Sequence, residues 1–107
     1  MGLTGPLDIQ KPETTKPAVT RGPAASGGGV SVTVEWRGHD VGTAGLAEYV
    51  LWMQRDRGVW SAVALPSPVA HSVEVTLGPG HSYRFAARAI DRAGNVGPWA
   101  YSDPLAV

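Results

Sequence analysis

The sequence predicts an all-β antiparallel sandwich of seven short strands, and three observations carry that prediction. Apolar and polar residues alternate with a period of two in segment after segment, which marks half-buried strands. Gly and Pro punctuate the intervals between these segments. No window of 11 residues shows a helical period.

A weak first strand lies near Ala18 to Arg21. The second is clear: Val30, Val32, Val34 and Trp36 alternate with Ser31, Thr33 and Glu35. In the third, Tyr49, Leu51 and Met53 alternate with Val50, Trp52 and Gln54. Val59 to Leu65 is a short apolar strand that follows a tight turn at Asp56-Arg57-Gly58. The fifth strand sets Val73, Val75 and Leu77 against Glu74 and Thr76. In the sixth, Tyr83, Phe85, Ala87 and Ala89 alternate with Arg84, Ala86, Arg88 and Ile90. The seventh runs from about Trp99 to Val107, interrupted by Pro104. The breaks fall at Gly27-Gly28-Gly29, residues 42–45, residues 66–68, Gly78-Pro79-Gly80 and residues 94–98.

Ahead of the strands, residues 1–16 read as a Pro-rich linker or N-terminal arm, with residues 17–107 as the domain. Pro6, Pro12 and Pro17 recur, and the segment from Lys11 to Pro17 is polar and proline-rich, which favours an extended, semi-rigid spacer. The whole chain of 107 residues has the size of one domain. Hydrophobic residues make up 43% and charged residues 17%, too apolar for disorder throughout.

Charge narrows the function. Nine basic and nine acidic side chains give a net charge of zero, so nucleic-acid binding through clustered cations is not expected. Insertion into a membrane is not expected either, because no apolar run is long enough to span a bilayer. Met1 to Gln10 has neither a basic start nor an apolar stretch, so no secretory leader is read there. There is no cysteine, and with it no disulfide framework, thiolate nucleophile or cysteine-ligated zinc.

The stretch from Leu77 through Gly78-Pro79-Gly80 and Tyr83 to Ala89 resembles the fibronectin type III signature. There a Leu, a Pro-Gly turn and a Tyr precede a strand of alternating apolar residues. The resemblance implies an immunoglobulin-like, seven-stranded sandwich of fibronectin type III topology, with Tyr83 as the tyrosine corner whose hydroxyl bonds backbone across the turn. It extends to Trp36, Tyr49, the turn from Asp91 to Asn95, and Trp60, which it places at an edge of the core. Pro17-Ala18-Val19-Thr20 resembles the opening of bacterial versions of the domain. A core Trp on the second strand and the lack of cysteines set the sequence apart from antibody-type domains. The family spaces or binds within larger proteins and has no catalytic residues to carry over.

Candidate chemistry is sparse. His39, His71 and His81 are not spaced as metal ligands and fall in or beside turns. No nucleophile elbow is present. Gly27-Gly28-Gly29 lacks the Lys-Ser/Thr of a phosphate loop and leads into a strand. Asp40 and Asp91 do not begin a calcium loop. No catalytic residue, metal or cofactor is expected.

Two sets of residues remain as candidate binding sites. Trp52 faces out from the third strand on the same surface as Arg84 and Arg88. An outward Trp can stack on a sugar ring or anchor a protein. The same Trp52, Arg84 and Arg88, with Trp99, can instead stack on one another and cap the sheet. Val96-Gly97-Pro98-Trp99-Ala100 is similar to a degenerate Trp-Ser-x-Trp-Ser segment of cytokine-receptor domains, in which Trp residues interleave with Arg. Here Val96 replaces the first Trp, and Gly97 and Ala100 replace both Ser, so the ladder is shortened. The second set is the loop holding Asp91, Arg92 and Asn95. It can recognise a partner, or Asp91 and Asn95 can simply bond turn backbone.

These residues lead to an expected non-catalytic structural, spacer or protein-binding module of a larger extracellular or surface assembly. Its partners are neighbouring domains or subunits. A carbohydrate-binding module using the Trp face, with polysaccharide as partner, and a phage virion or tail-decoration protein are the alternatives.

Overall fold

A computed structural model describes residues 10–24, 27–40, 42 and 44–107. Among these the chain is all-β, with ten strand segments and no helix. They are β1 (Glu13–Thr14), β2 (Ala18–Ala24), β3 (Val30–Glu35), β4 (Gly38–His39), β5 (Leu46–Arg55), β6 (Trp60–Val63), β7 (Ser72–Leu77), β8 (Ser82–Asp91), β9 (Ala100–Tyr101) and β10 (Leu105–Ala106).

All pairings are antiparallel. One sheet has the order β2-β3-β7. The other runs β10-β8-β5-β6, with β9 also on β8. The expected last strand is thus two short pieces on the same neighbour. Ala100 and Tyr101 pair with Ala87 and Ala86, while Leu105 and Ala106 pair with Tyr83 and Ser82. Pro104 lies between them and has no N–H to give a ladder.

The two larger sheets enclose one core, the arrangement of a β-sandwich. Val32, Val34 and Leu77 project from the first sheet. Tyr49, Leu51, Tyr83, Phe85, Ala87 and Ala89 meet them from the second, and Trp36 closes one end. Phe85 is fully buried, which alone stabilises the fold by roughly 1.5–3 kcal/mol.

Tyrosines fix the turns. The Tyr83 hydroxyl accepts from the Gly78 N–H at 3.0 Å and donates to the Gly78 carbonyl at 3.1 Å, closing the turn before β8. Tyr49 accepts from the Gly38 N–H at 2.9 Å, and its ring meets Trp36 edge-on at 6.1 Å. A Cβ at Gly38 would lie 2.4 Å from the Tyr49 ring. The β5–β6 hairpin is a two-residue turn with Asp56 and Arg57 both left-handed (φ 51° and 63°), the I′ geometry that suits strand twist. The Gly58 N–H donates to the Arg55 carbonyl to close it.

The end of the proline-rich arm lies against the domain. Pro12 is buried, and Glu13 and Thr14 pair with His39 and Gly38. The Thr15 N–H donates to the Arg37 carbonyl, and the Arg37 N–H donates to Thr15 Oγ1. The Pro12 carbonyl passes so close over Gly97 that a Cβ there would lie 2.1 Å from it. Residues 1–9 of the arm lie outside the described residues.

Candidate functional site

The site is built by register. Because Tyr49, Leu51 and Met53 turn inward on β5, Trp52 and Gln54 turn outward. On β8 the inward set is Tyr83, Phe85, Ala87 and Ala89, so Arg84, Ala86 and Arg88 face the other way. Trp52 sits opposite Ala86 on one side and Ala62 on the other. Tyr101 sits opposite Ala86 from β9. Ala86 thus leaves a low floor between tall aromatic walls and is only 2% exposed beneath them.

Two stacks stand on this floor. In the first, the Arg84 guanidinium carbon lies 5.9 Å from the Trp60 ring centre and 5.2 Å from that of Tyr101. The Trp60 and Tyr101 rings meet at 5.8 Å and 61°. In the second, the Arg88 guanidinium carbon lies 4.2 Å from the Trp99 ring centre, and Trp99 meets Trp52 at 6.1 Å and 71°. Between them is a groove of about 350 Å³ lined by Trp52, Trp60, Ala86, Arg88, Trp99 and Tyr101.

The expectation that Trp52, Arg84, Arg88 and Trp99 share a surface therefore matches their placement, and the stacking is real. Trp60 corrects the sequence reading. It lies on this outer face and not at an edge of the core, because the hairpin register sets it opposite Gln54. Tyr101 was missed, although its spacing of two from Trp99 was a usable signal.

Electrostatics leave the arginines without anions. The ion pairs among the described residues join Lys16 to Asp103 at 2.8 Å and Asp56 to His81. Neither involves Arg84 or Arg88. The Nε of Arg88 is buried and has no hydrogen-bond partner among the described residues.

Asp91, Arg92 and Asn95 form a separate place, the turn after β8. Asp91 is only 2% exposed. Its carboxylate accepts from the N–H groups of Ala93 (3.0 Å) and Asn95 (2.8 Å) and from the Asn95 side-chain amide (2.9 Å). Burial pushes the Asp91 carboxyl up, but the bonds from Asn95, Ala93 and Gly94 outweigh it and hold it below the ordinary 3.8. Asp91 is therefore a turn staple. Arg92 is exposed, and its N–H donates to the Gly45 carbonyl.

The remaining polar side chains also serve turns. Asp56 accepts from the Ser82 N–H at 2.8 Å and pairs with the His81 ring; that backbone bond first, and His81 second, lower its pKa. His81, beside a turn as the sequence placed it, thus has a partner. Asp40 accepts from the N–H groups of Gly42 and Gly45. Ser102 is buried, accepts from the Phe85 N–H at 2.8 Å and donates to the Asp103 carbonyl. No group of three His, Cys, Asp or Glu among the described residues could hold a metal ion.

Comparison with known protein families finds no match, and no curated protein matches the sequence either.

Proposed function

We propose that this chain is a non-catalytic module of fibronectin type III kind that contacts a ligand through the outer face of its larger sheet. It would work within a larger extracellular or cell-surface assembly, with a neighbouring protein or a polysaccharide as the ligand. The sheet orders β2-β3-β7 and β6-β5-β8-β9/β10 and the Tyr83 corner support the family reading.

One observation carries the binding reading: four aromatic rings and two arginines without carboxylate partners are gathered over an alanine floor. Tyr, Trp and Arg are the side chains that dominate binding energy at interfaces. The non-catalytic reading draws support from the buried polar side chains, Asp91 and Ser102, whose hydrogen bonds go mainly to backbone.

A spacer reading is favoured by the stacks themselves, since rings and guanidinium groups that satisfy one another stabilise a sheet without any ligand. The virion reading, in which the arm docks on a neighbouring subunit, has less support, because Glu13 to Thr15 pair within their own chain.

The test is an NMR titration of the whole chain with a panel of soluble glycans and with flanking segments of any longer parent polypeptide. Saturable shifts at the three outer indoles and Tyr101 are expected. Shifts confined to the Asp91 turn, or new reducing ends released from a glycan, would overturn the reading.

A further inference from the structure

We infer that the groove between the two stacks binds an acidic oligosaccharide, with uronic acid carboxylates on Arg84 and Arg88 and pyranose faces on the aromatic walls. This rests on the proposal that the chain binds through this face, and it names the ligand class.

Charge is the first argument. A guanidinium that lies over a ring uses its flat face and keeps its in-plane N–H groups free. Arg84 and Arg88 are held in this way, and neither is in an ion pair among the described residues. The carboxylate that strand alternation places on this face, Glu48, sits opposite Ile90 and pairs with neither arginine. The face is therefore a cationic patch on a chain of zero net charge. Its in-plane donors match a carboxylate held by two parallel hydrogen bonds.

The groove lining is the second argument. No residue lining the groove is anionic, Arg88 is its one charged residue, and Arg84 flanks it on Trp60 and Tyr101.

Shape separates a glycan from a peptide. Rings standing around Ala86 make a trough with apolar walls, which suits a ribbon of sugar rings whose C–H faces pack on indoles. Arg84 and Arg88 lie four residues apart on one strand, about 13 Å, so a chain of several sugars is needed to engage both. A peptide offered this surface finds the face of a paired sheet and not an open edge to extend.

Calorimetry and NMR on the full chain decide the question, with short oligomers of galacturonate, alginate and hyaluronan as probes. Controls are the methyl-esterified galacturonate oligomer, a neutral cello-oligomer and a poly-Glu peptide. At least one uronate oligomer is expected to bind, to shift the indole signals of Trp52, Trp60 and Trp99, and to weaken as salt rises. Methyl esterification should weaken galacturonate binding, if that is the oligomer bound, by about tenfold or more. Arg88→Met keeps the apolar stem and should weaken binding to a similar degree with the signals of the core residues Val32, Leu51 and Phe85 unchanged. If that variant unfolds, the esterified control still decides.

Equal affinity for the esterified or neutral oligomer at the same indoles would overturn the acidic ligand while leaving a binding face. Equal affinity for poly-Glu would overturn the glycan in favour of a protein ligand. No saturable binding by any uronate oligomer overturns the inference outright. Binding that shifts only signals away from the face would overturn the proposed site as well.

Discussion

Strand β8 carries two chemistries back to back. Its inner side presents Tyr83, Phe85, Ala87 and Ala89 to a core from which water is excluded. Its outer side presents Arg84, Ala86 and Arg88 to rings contributed by β5, β6, β9 and the residue before β9. The inner side is held by lost surface, which is strong and indifferent to direction. The outer side is held by oriented, half-exposed contacts, which are weaker and leave donors unused. A surface of the second kind can change partners at low cost, whereas a core cannot, and that is why the candidate site lies on the outer side.

Truncating both sides should expose this asymmetry. Phe85→Ala should destabilise the domain by about 3–5 kcal/mol in denaturant unfolding, because the core cannot collapse into the space. A loss under 1 kcal/mol would mean that the two sides are not different in kind. Tyr83→Phe removes both bonds to Gly78 and keeps the ring, so about 1–2 kcal/mol should be lost, with no change at the indoles. Arg84→Met should cost only about 0.5–1 kcal/mol, read as a small fall in melting temperature. A larger fall would show that the stack is structural and sharpen the case for a spacer. Arg57→Gly should stabilise by under about 1 kcal/mol, since glycine accepts the left-handed turn without the Cβ clash.

A last comparison sets neutral pH against acid. Asp91 and Asp56 both have pKa values below the ordinary 3.8, so their stabilisation is complete above the unfolded value. It is lost as pH falls below about 4 through the folded values. Melting temperature should therefore drop in acid, and Asp91→Asn should flatten that drop. An unchanged acid limb in the variant would remove Asp91 from the account.

Alternation made much of this legible. It separated Trp36 and Phe85 from Trp52, Arg84 and Arg88, because a period of two leaves no other choice once one face is apolar. It failed at Trp60, since Val59 to Leu65 is almost uniformly apolar and both faces look alike. There the register is set by one extra residue, Val59, between the Asp56-Arg57 turn and the ladder, which moves Trp60 from opposite Met53 to opposite Gln54, and such a shift is not written in hydropathy. Asp91 was legible as a turn residue, but its burial depends on the loop folding over it. Pro12 carried no signal at all, because what buries it lies in remote parts of the chain, Gly97 among them.

That contact has a mechanical meaning. Tension applied ahead of residue 10 does not reach the β2–β3 ladder directly. It first loads the Pro12–Gly97 clasp and the short β1–β4 pairing. These are few bonds in parallel, so they should give way before the sandwich does. Their release lets out a short length of chain that absorbs the pull. In a pulling experiment the clasp should appear as an early, low-force extension, and in Gly97→Ala, where the clasp cannot seat, that step should vanish while the main rupture stays. The domain would thus carry its own shock absorber at the amino-terminal side.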